Sequence, residues 1–195
     1  MLIRLKEGKV IKVEKIGLDH ASIIVKFGNK MRFEAPYVGK GLIGKPYTLK
    51  KEKRLIKANR ARHTSSYVAI YNSDAIGLAG VDLVGGELSR HVAYCGYMVA
   101  KEFRGTGLSY FLVHMAAAHA AKSVKTVLAA IIPQNKASVA FFKRCGGTKV
   151  GEFKKTIYSR RRGRYYNNTH MQVTLSKLIN GSKRMWKSKG VIIVR

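Results

Sequence analysis

Lys101-Glu102-Phe103-Arg104-Gly105-Thr106-Gly107-Leu108-Ser109 is the stretch whose reading decides the fold. It stands between two patterns of different period. Before it, His91 to Val99 runs as a β-type segment. After it, Leu108, Phe111, Leu112, Met115 and His119 follow the i, i+3, i+4 spacing of a helix with one apolar face. Glycines at a strand-to-helix turn leave successive backbone N–H groups free at the positive end of the helix dipole, so such a turn binds a phosphate or pyrophosphate. The dinucleotide fingerprint does not fit. It needs a third glycine where Tyr110 stands and an acid about 20 residues later, where the chain offers Ser123, Val124 and Lys125. The Walker lysine is missing too.

Working outward, Tyr67 to Tyr71 and Ala75 to Leu83 read as strands joined by the turn Asn72-Ser73-Asp74. Beyond the first helix, Thr126 to Ile132 is a buried strand and Ala137 to Arg144 a second helix. Thr148 to Phe153 and Met171 to Leu175 close the pattern as strands. Alternating strands and helices imply an α/β sheet with a crossover. Residues 1–50 read differently. Val10 to Val13, Ala21 to Phe27 and Lys30 to Phe33 are short β-type runs, with Gly28-Asn29 as a tight hairpin turn. The expected organisation is a small β-rich basic domain over 1–50 and a basic helix or linker over 51–66. The α/β domain then spans 67–178, and a basic tail spans 179–195.

A second motif stands in register with the glycine turn: Asn135, then Ser138, Phe142 and Gly146. Arg104-Gly105-Thr106-Gly107-Leu108-Ser109 after Tyr97-Met98-Val99 resembles the acyl-CoA loop of the GCN5-related N-acetyltransferases (GNAT). The Asn135 series resembles that family's Asn-x-x-Ala-x-x-x-Tyr-x-x-x-Gly signature. The resemblance covers about residues 67–175 and implies a mixed, splayed central sheet with flanking helices, and acetyl-CoA as acyl donor. The backbone of Tyr97, Met98 and Val99 is then expected to pair with the pantetheine, and Arg104, Gly105, Thr106, Gly107, Leu108 and Ser109 to hold the pyrophosphate. Asn135 and Phe142 belong to the helix beside the pantetheine arm.

The chain departs from the family at the proton donor. The family commonly has Tyr where this chain has Phe142, and a phenyl ring donates no proton. Either Tyr158, Tyr94 or Cys145 substitutes, or the thiolate leaves without a dedicated acid. Glu87 and His91, at the start of the long strand, are the candidate bases, and an imidazole is the side chain chemically suited to proton transfer near neutrality. His114 and His119 are five apart, off the i, i+4 face that shares a metal, so no metal is expected.

Charge narrows the acceptor. Thirty-eight Lys and Arg face ten Asp and Glu, a formal charge of +28, and nine of the ten acids lie at or before Glu102. Such a field attracts polyanions, of which nucleic acid is the most abundant in a cell. The densest cationic run is Arg160-Arg161-Arg162-Gly163-Arg164-Tyr165-Tyr166, in which Arg clamps phosphate while Tyr stacks on a base. Two cysteines, Cys95 and Cys145, no apolar run at the N-terminus and no stretch long enough to span a bilayer point to a cytoplasmic protein without membrane partners. Three functions follow. The first is an acetyl-CoA-dependent N-acyltransferase acting on an amine of nucleic acid or of a protein bound to it. The second is a base-modifying enzyme similar to phage Mom proteins, through Glu87-Leu88-Ser89-Arg90. The third is a non-catalytic nucleic-acid binder on the same fold.

Overall fold

The computed structural model describes residues 1–35, 37, 46–61, 64–160 and 162–194. In chain order the elements are β1 (Leu2–Arg4), β2 (Val10–Lys15), α1 (Ala21–Glu34), α2 (Leu49–Ala61), β3 (Ser65–Tyr71), β4 (Asp74–Leu83) and β5 (Val92–Val99). They continue with α3 (Leu108–Ala118), β6 (Thr126–Ile131), α4 (Lys136–Arg144), β7 (Thr148–Ser159), β8 (Arg164–Thr174), α5 (Leu175–Ser188) and β9 (Ile192–Ile193). The strands form one mixed sheet in the order β7-β8-β6-β5-β4-β3-β2-β1-β9.

The middle of this sheet carries the architecture expected from the glycine turn outward. β3 and β4 form an antiparallel hairpin through Asn72 and Ser73, whose φ of 49° and 65° are those of a tight hairpin turn. β5 lies antiparallel to β4, and β6 returns parallel to β5 after α3. Successive residues Gly77 and Leu78 face opposite sides of the sheet. A Cβ on Gly77 would come to 2.9 Å of Leu112 on α3, whereas Leu78 packs on the cluster of Ala21, Ile24 and Ile56 from α1 and α2.

Three expectations are corrected. The runs 21–27 and 30–33 are not strands around a Gly28-Asn29 hairpin but one helix, α1. Ala21, Ile24, Phe27, Gly28 and Met31 are its buried residues, a spacing of three and four that only a helix brings to one face. Gly28-Asn29 is mid-helix, and the Asn29 side chain accepts the N–H of Tyr47 (2.9 Å) and donates to its carbonyl (3.1 Å). Second, the described residues of 1–50 do not form a separate β-domain. β2 pairs with β3 from Lys12↔Ile70 to Lys15↔Tyr67, and Ile3, Leu5, Ile11 and Val13 belong to the same buried core as the central strands. Third, the basic tail is an amphipathic helix and a strand. Leu178, Gly181, Ser182 and Trp186 face inward along α5, Trp186 lies edge-on to Phe111 at 5.3 Å, and Ile193 pairs with Ile3. The hairpin β7–β8 is also longer than read, reaching Ser159 and Arg164.

α5 approaches the end of α4 at closest range through Gly181. A Cβ there would lie 2.6 Å from Cys145 Cα and 2.9 Å from its carbonyl carbon and oxygen. Those are backbone atoms that no side-chain rotation moves aside. Gly181→Ala should therefore destabilise the protein by about 3 kcal/mol, the upper end of overpacking costs, measured as a lowered urea midpoint with unchanged m-value.

Candidate active site

The pairing between β5 and β6 lasts three residues, from Val92↔Thr126 to Tyr94↔Leu128. On its other edge β6 pairs with β8 along its whole length, Thr126↔Thr174 to Ile131↔Thr169, while β5 continues along β4 to Val99↔Gly77. The sheet parts into a V, and Cys95 to Val99 present backbone on the side that β6 has left. Two cavities occupy the opening. The first, about 720 Å³, runs from the ends of β5 and α1 past the glycine turn to α4. The second, about 430 Å³, lies between β4, β5 and β6.

Tyr97, Met98, Val99, Arg104, Gly105, Gly107, Ser109 and Asn135 all line the first cavity. The other three residues expected to touch coenzyme stand elsewhere. Thr106 ties the turn together, its hydroxyl donating to Phe103 O (2.8 Å) and accepting from Leu108 N (3.4 Å). Leu108 is fully buried core. Phe142 is buried and lines the second cavity. Gly105 and Gly107 have φ of +82° and +94°, the left-handed conformation that turns consecutive N–H groups to one side ahead of α3. Arg104 Nε donates to Val99 O at 3.2 Å, fastening the turn to the strand end. Arg144 and Lys189 add positive charge at the rim. An anion nest, an unpaired strand edge and basic rims suit a long, phosphate-bearing thioester such as acetyl-CoA.

The cavities meet at Tyr97, Met98, Asn135, Ser138 and Tyr37. Asn135 Oδ1 caps α4 by accepting Ser138 N at 3.3 Å. The Tyr97 ring lies 4.3 Å from that of Phe141, and its hydroxyl donates to Ser138 Oγ at 3.4 Å. Burial pushes this phenol well above the ordinary tyrosine range, so it stays protonated. In the second cavity, Ser66 Oγ and Asp82 Oδ1 come within 2.8 and 3.5 Å of where a Cβ on Gly80 would sit.

The residues expected to be catalytic are not brought here. Glu87 lies in an exposed single turn, with Leu88 91% exposed, and His91 is exposed at the closed end of the V. The His91 carbonyl accepts Lys125 N and Thr126 N, bolting β5 to β6. Neither residue lines either cavity, so the stretch Glu87 to Arg90 sits away from the site. Tyr158 is half-exposed and packs on Tyr165 (4.9 Å), on the strand face opposite Ile157, which does line the second cavity. Tyr94 is also exposed, and Cys145 is buried with its thiol pushed up to about 12 by burial. Sequence reading gave Tyr97 a backbone role only and missed Ser66 and Asp82; strand alternation within β3 and β4 was the one available signal.

The arginine-rich hairpin tip is partly tied down. Arg164 Nε and Arg162 Nη1 donate to the buried Tyr166 hydroxyl at 2.8 and 3.4 Å, and Arg162 stacks over Tyr37. Arg160 and Tyr165 are exposed, and Arg161 lies outside the described residues. His114 and His119 bond separate carbonyls, of Ile179 and Met115. Among the described residues no three His, Cys, Asp or Glu cluster as for a metal, and no helix is long and apolar enough to cross a membrane.

A sheet split beside an anion nest defines an acyl-CoA-dependent transferase. The model of the acetyltransferase (GNAT) family matches residues 33–147, more than half of the chain, and the protein belongs to that family. Solved structures agree in fold. The Salmonella typhimurium putative acetyltransferase yncA, determined with acetyl-CoA, superposes with a TM-score of 0.73 at 17% identity over 85% of this chain and 94% of its own. Mycobacterium smegmatis RimJ, in complex with CoA-disulfide, gives 0.74 at 16% over 97% and 93%. Ribosomal-protein-alanine N-acetyltransferase from Brucella melitensis gives 0.73 at 18% over 84% and 99%. No curated protein matches the sequence. The fold class is thus the expected mixed α/β one, and acetyl-CoA is the acyl donor.

The two nest glycines differ as probes. A Cβ on Gly107 would come to 2.7 Å of Lys189 Cβ and 3.0 Å of Val191, within the protein itself, whereas nothing lies within 4 Å of a Cβ on Gly105. Gly105→Glu should leave the protein folded, with a backbone strain of about 1–2 kcal/mol, while acetyl-CoA affinity by calorimetry falls at least 100-fold. Gly107→Ala should lower the melting temperature more than Gly105→Ala.

Proposed function

We propose that the protein acetylates an amine carried by nucleic acid or by a protein seated on it, with the acceptor amine in the second cavity and the thioester at the seam. The observation that carries the acceptor class is uncompensated positive charge. The acids are spent in local pairs, including Glu7–Lys9, Glu14–Lys12, Asp74–Lys26, Glu102–Lys30 and Glu152–Lys149, at 2.6 to 3.3 Å. The remaining cations cover the surface, with Lys50, Lys51, Lys53, Arg54 and Lys57 exposed along α2 alone. A small metabolite gains nothing from +28; a polyanionic platform is positioned by it. The neighbour named ribosomal-protein-alanine N-acetyltransferase supports the branch in which the amine belongs to a protein on RNA.

Chemically, a protonated amine is no nucleophile, so a base must take its proton before attack. Asp82, beside Ser66 above Gly80, is the carboxylate in the acceptor cavity. Attack converts the thioester carbonyl to an oxyanion, and N–H groups on the unpaired edge of β5 are the donors it meets. Collapse breaks the C–S bond. The departing thiolate takes the proton of Tyr97 Oη, which Phe142 cannot supply, and Ser138 Oγ orients that hydroxyl.

If so, Tyr97→Phe lowers kcat about 100-fold, as loss of a general acid does, with acetyl-CoA affinity changed less than threefold. Adding Phe142→Tyr, which places a hydroxyl in the same cavity, should recover a large part of the rate. An unchanged kcat in Tyr97→Phe assigns the proton to another group. The acceptor class is tested with radiolabelled acetyl-CoA against total RNA, DNA and intact ribosomes: label on a nucleic acid or a ribosomal protein is expected. Affinity for a single-stranded RNA should fall with a log-log salt slope of about 0.7 per phosphate contacted. A flat salt response removes the polyanion from the reading.

A further inference from the structure

A third cavity, about 670 Å³, opens where β2 ends, β3 begins, α2 passes and the chain leaves α3. Its charged lining is Lys15, Lys57 and Lys122 with a single acid, Glu52, and His119 beside them. The three lysines come from β2, α2 and the turn after α3, so only the tertiary fold brings them around one hole. Among the described residues none of them has a carboxylate within 4.0 Å, although Lys12, two residues from Lys15, is paired with Glu14 at 3.0 Å. Glu52 is one carboxyl against three ammonium groups, with no lysine of the three within ion-pair distance, and burial raises its pKa. Three like charges around one cavity repel, a cost that a bound anion converts into attraction.

The position of this cavity gives the anion a role. It shares Ile16 and Ser66 with the acceptor cavity, which in turn shares Tyr97, Met98, Asn135 and Ser138 with the coenzyme cavity. The three chambers thus stand in series: nest and coenzyme, then amine, then lysines. Resting on the nucleic-acid reading above, we infer that the third cavity is an acceptor subsite that holds a phosphate of the polynucleotide, while the amine reaches across the Ile16–Ser66 sill toward Asp82. Asn59, Thr64 and Ser66 supply neutral hydrogen-bonding groups to the same wall. This subsite is separate from the anion nest at Gly105, which lies at the other end of the series.

The test uses the full chain with the nest filled by coenzyme A. A triple variant, Lys15→Gln, Lys57→Gln and Lys122→Gln, is compared with a control triple of equal charge loss, Lys183→Gln, Lys143→Gln and Lys154→Gln. The probe is a fluorescein-labelled oligouridylate. The cavity triple should bind it about tenfold more weakly with a salt slope reduced by about one contact, the control triple less than threefold more weakly, and both should keep wild-type coenzyme affinity. Equal losses in the two triples overturn the subsite, because bulk charge then accounts for binding. Independently, AMP should protect Lys15, Lys57 and Lys122 of the wild type from an amine-reactive ester, read by peptide mass spectrometry. Absence of protection overturns the subsite even if RNA binds elsewhere. Protection by AMP with no binding of the oligonucleotide overturns the polynucleotide acceptor and leaves a phosphate site for a smaller one.

Discussion

Everything functional in this protein depends on the early end of one strand pairing. β5 and β6 stay together from Val92–Thr126 to Tyr94–Leu128 and then separate, while β6 keeps its pairing with β8 on the other edge as far as Ile131–Thr169. A continuous ladder would have buried the backbone of Cys95 to Val99 and left no cavity. The split leaves N–H and C=O groups that need partners, and a ligand with amide groups of its own satisfies them. The closed end is held by paired backbone and by the His91 carbonyl, which accepts two N–H groups of the following crossover.

Around that opening the two faces of the sheet supply different things. α3 begins at the nest, so its dipole and the glycine turn favour phosphate at one end of the V. α4 begins at Asn135, whose side chain caps the helix, and its first turn brings Ser138 to the Tyr97 hydroxyl. On the opposite face, β3 and β4 place Ser66 and Asp82 over Gly80. The nest, the Tyr97 phenol and the Asp82 carboxylate, which the proposed mechanism uses as donor site, proton source and base, thus come from separate elements that share only the sheet. The ring packing of Tyr97 on Phe141, and of Phe141 on Tyr110 at 4.3 Å, fixes the phenol without using the acceptor side.

The replacement at Phe142 acquires a physical meaning in this setting. A phenyl ring on α4 keeps the cavity wall apolar while a hydroxyl is carried by Tyr97 on β5, at the seam between the two cavities. Cys145 is poorly placed for that task, since its side chain lines neither cavity. The hairpin arginines illustrate the converse. A cationic run that reads as a nucleic-acid clamp spends two of its guanidinium groups on the Tyr166 hydroxyl, which leaves them charged but fixed.

The sequence by itself determined the strand–turn–helix at Gly105 and Gly107, the hairpin at Asn72-Ser73, and the alternation that makes the central fold. Each of these is written in local rules: positive φ, period two, period 3.6. Eight of the eleven residues the sequence points to for the coenzyme line one cavity, seven of them within the contiguous stretch from Tyr97 to Ser109. Only the tertiary structure decided the rest. The β-branched and aromatic run 21–33 has strand propensity, yet burial against Leu78 and Tyr47 makes it a helix; packing outweighs intrinsic preference. Tyr158 has the right chemistry but faces away, since a residue's side of a sheet follows from register and not from composition, and Glu87 and His91 stand before β5, at the closed end of the V. Tyr97, Asp82, Ser66 and the three lysines of the third cavity come together from elements distant in the chain, and no window of sequence contains the contacts that join them.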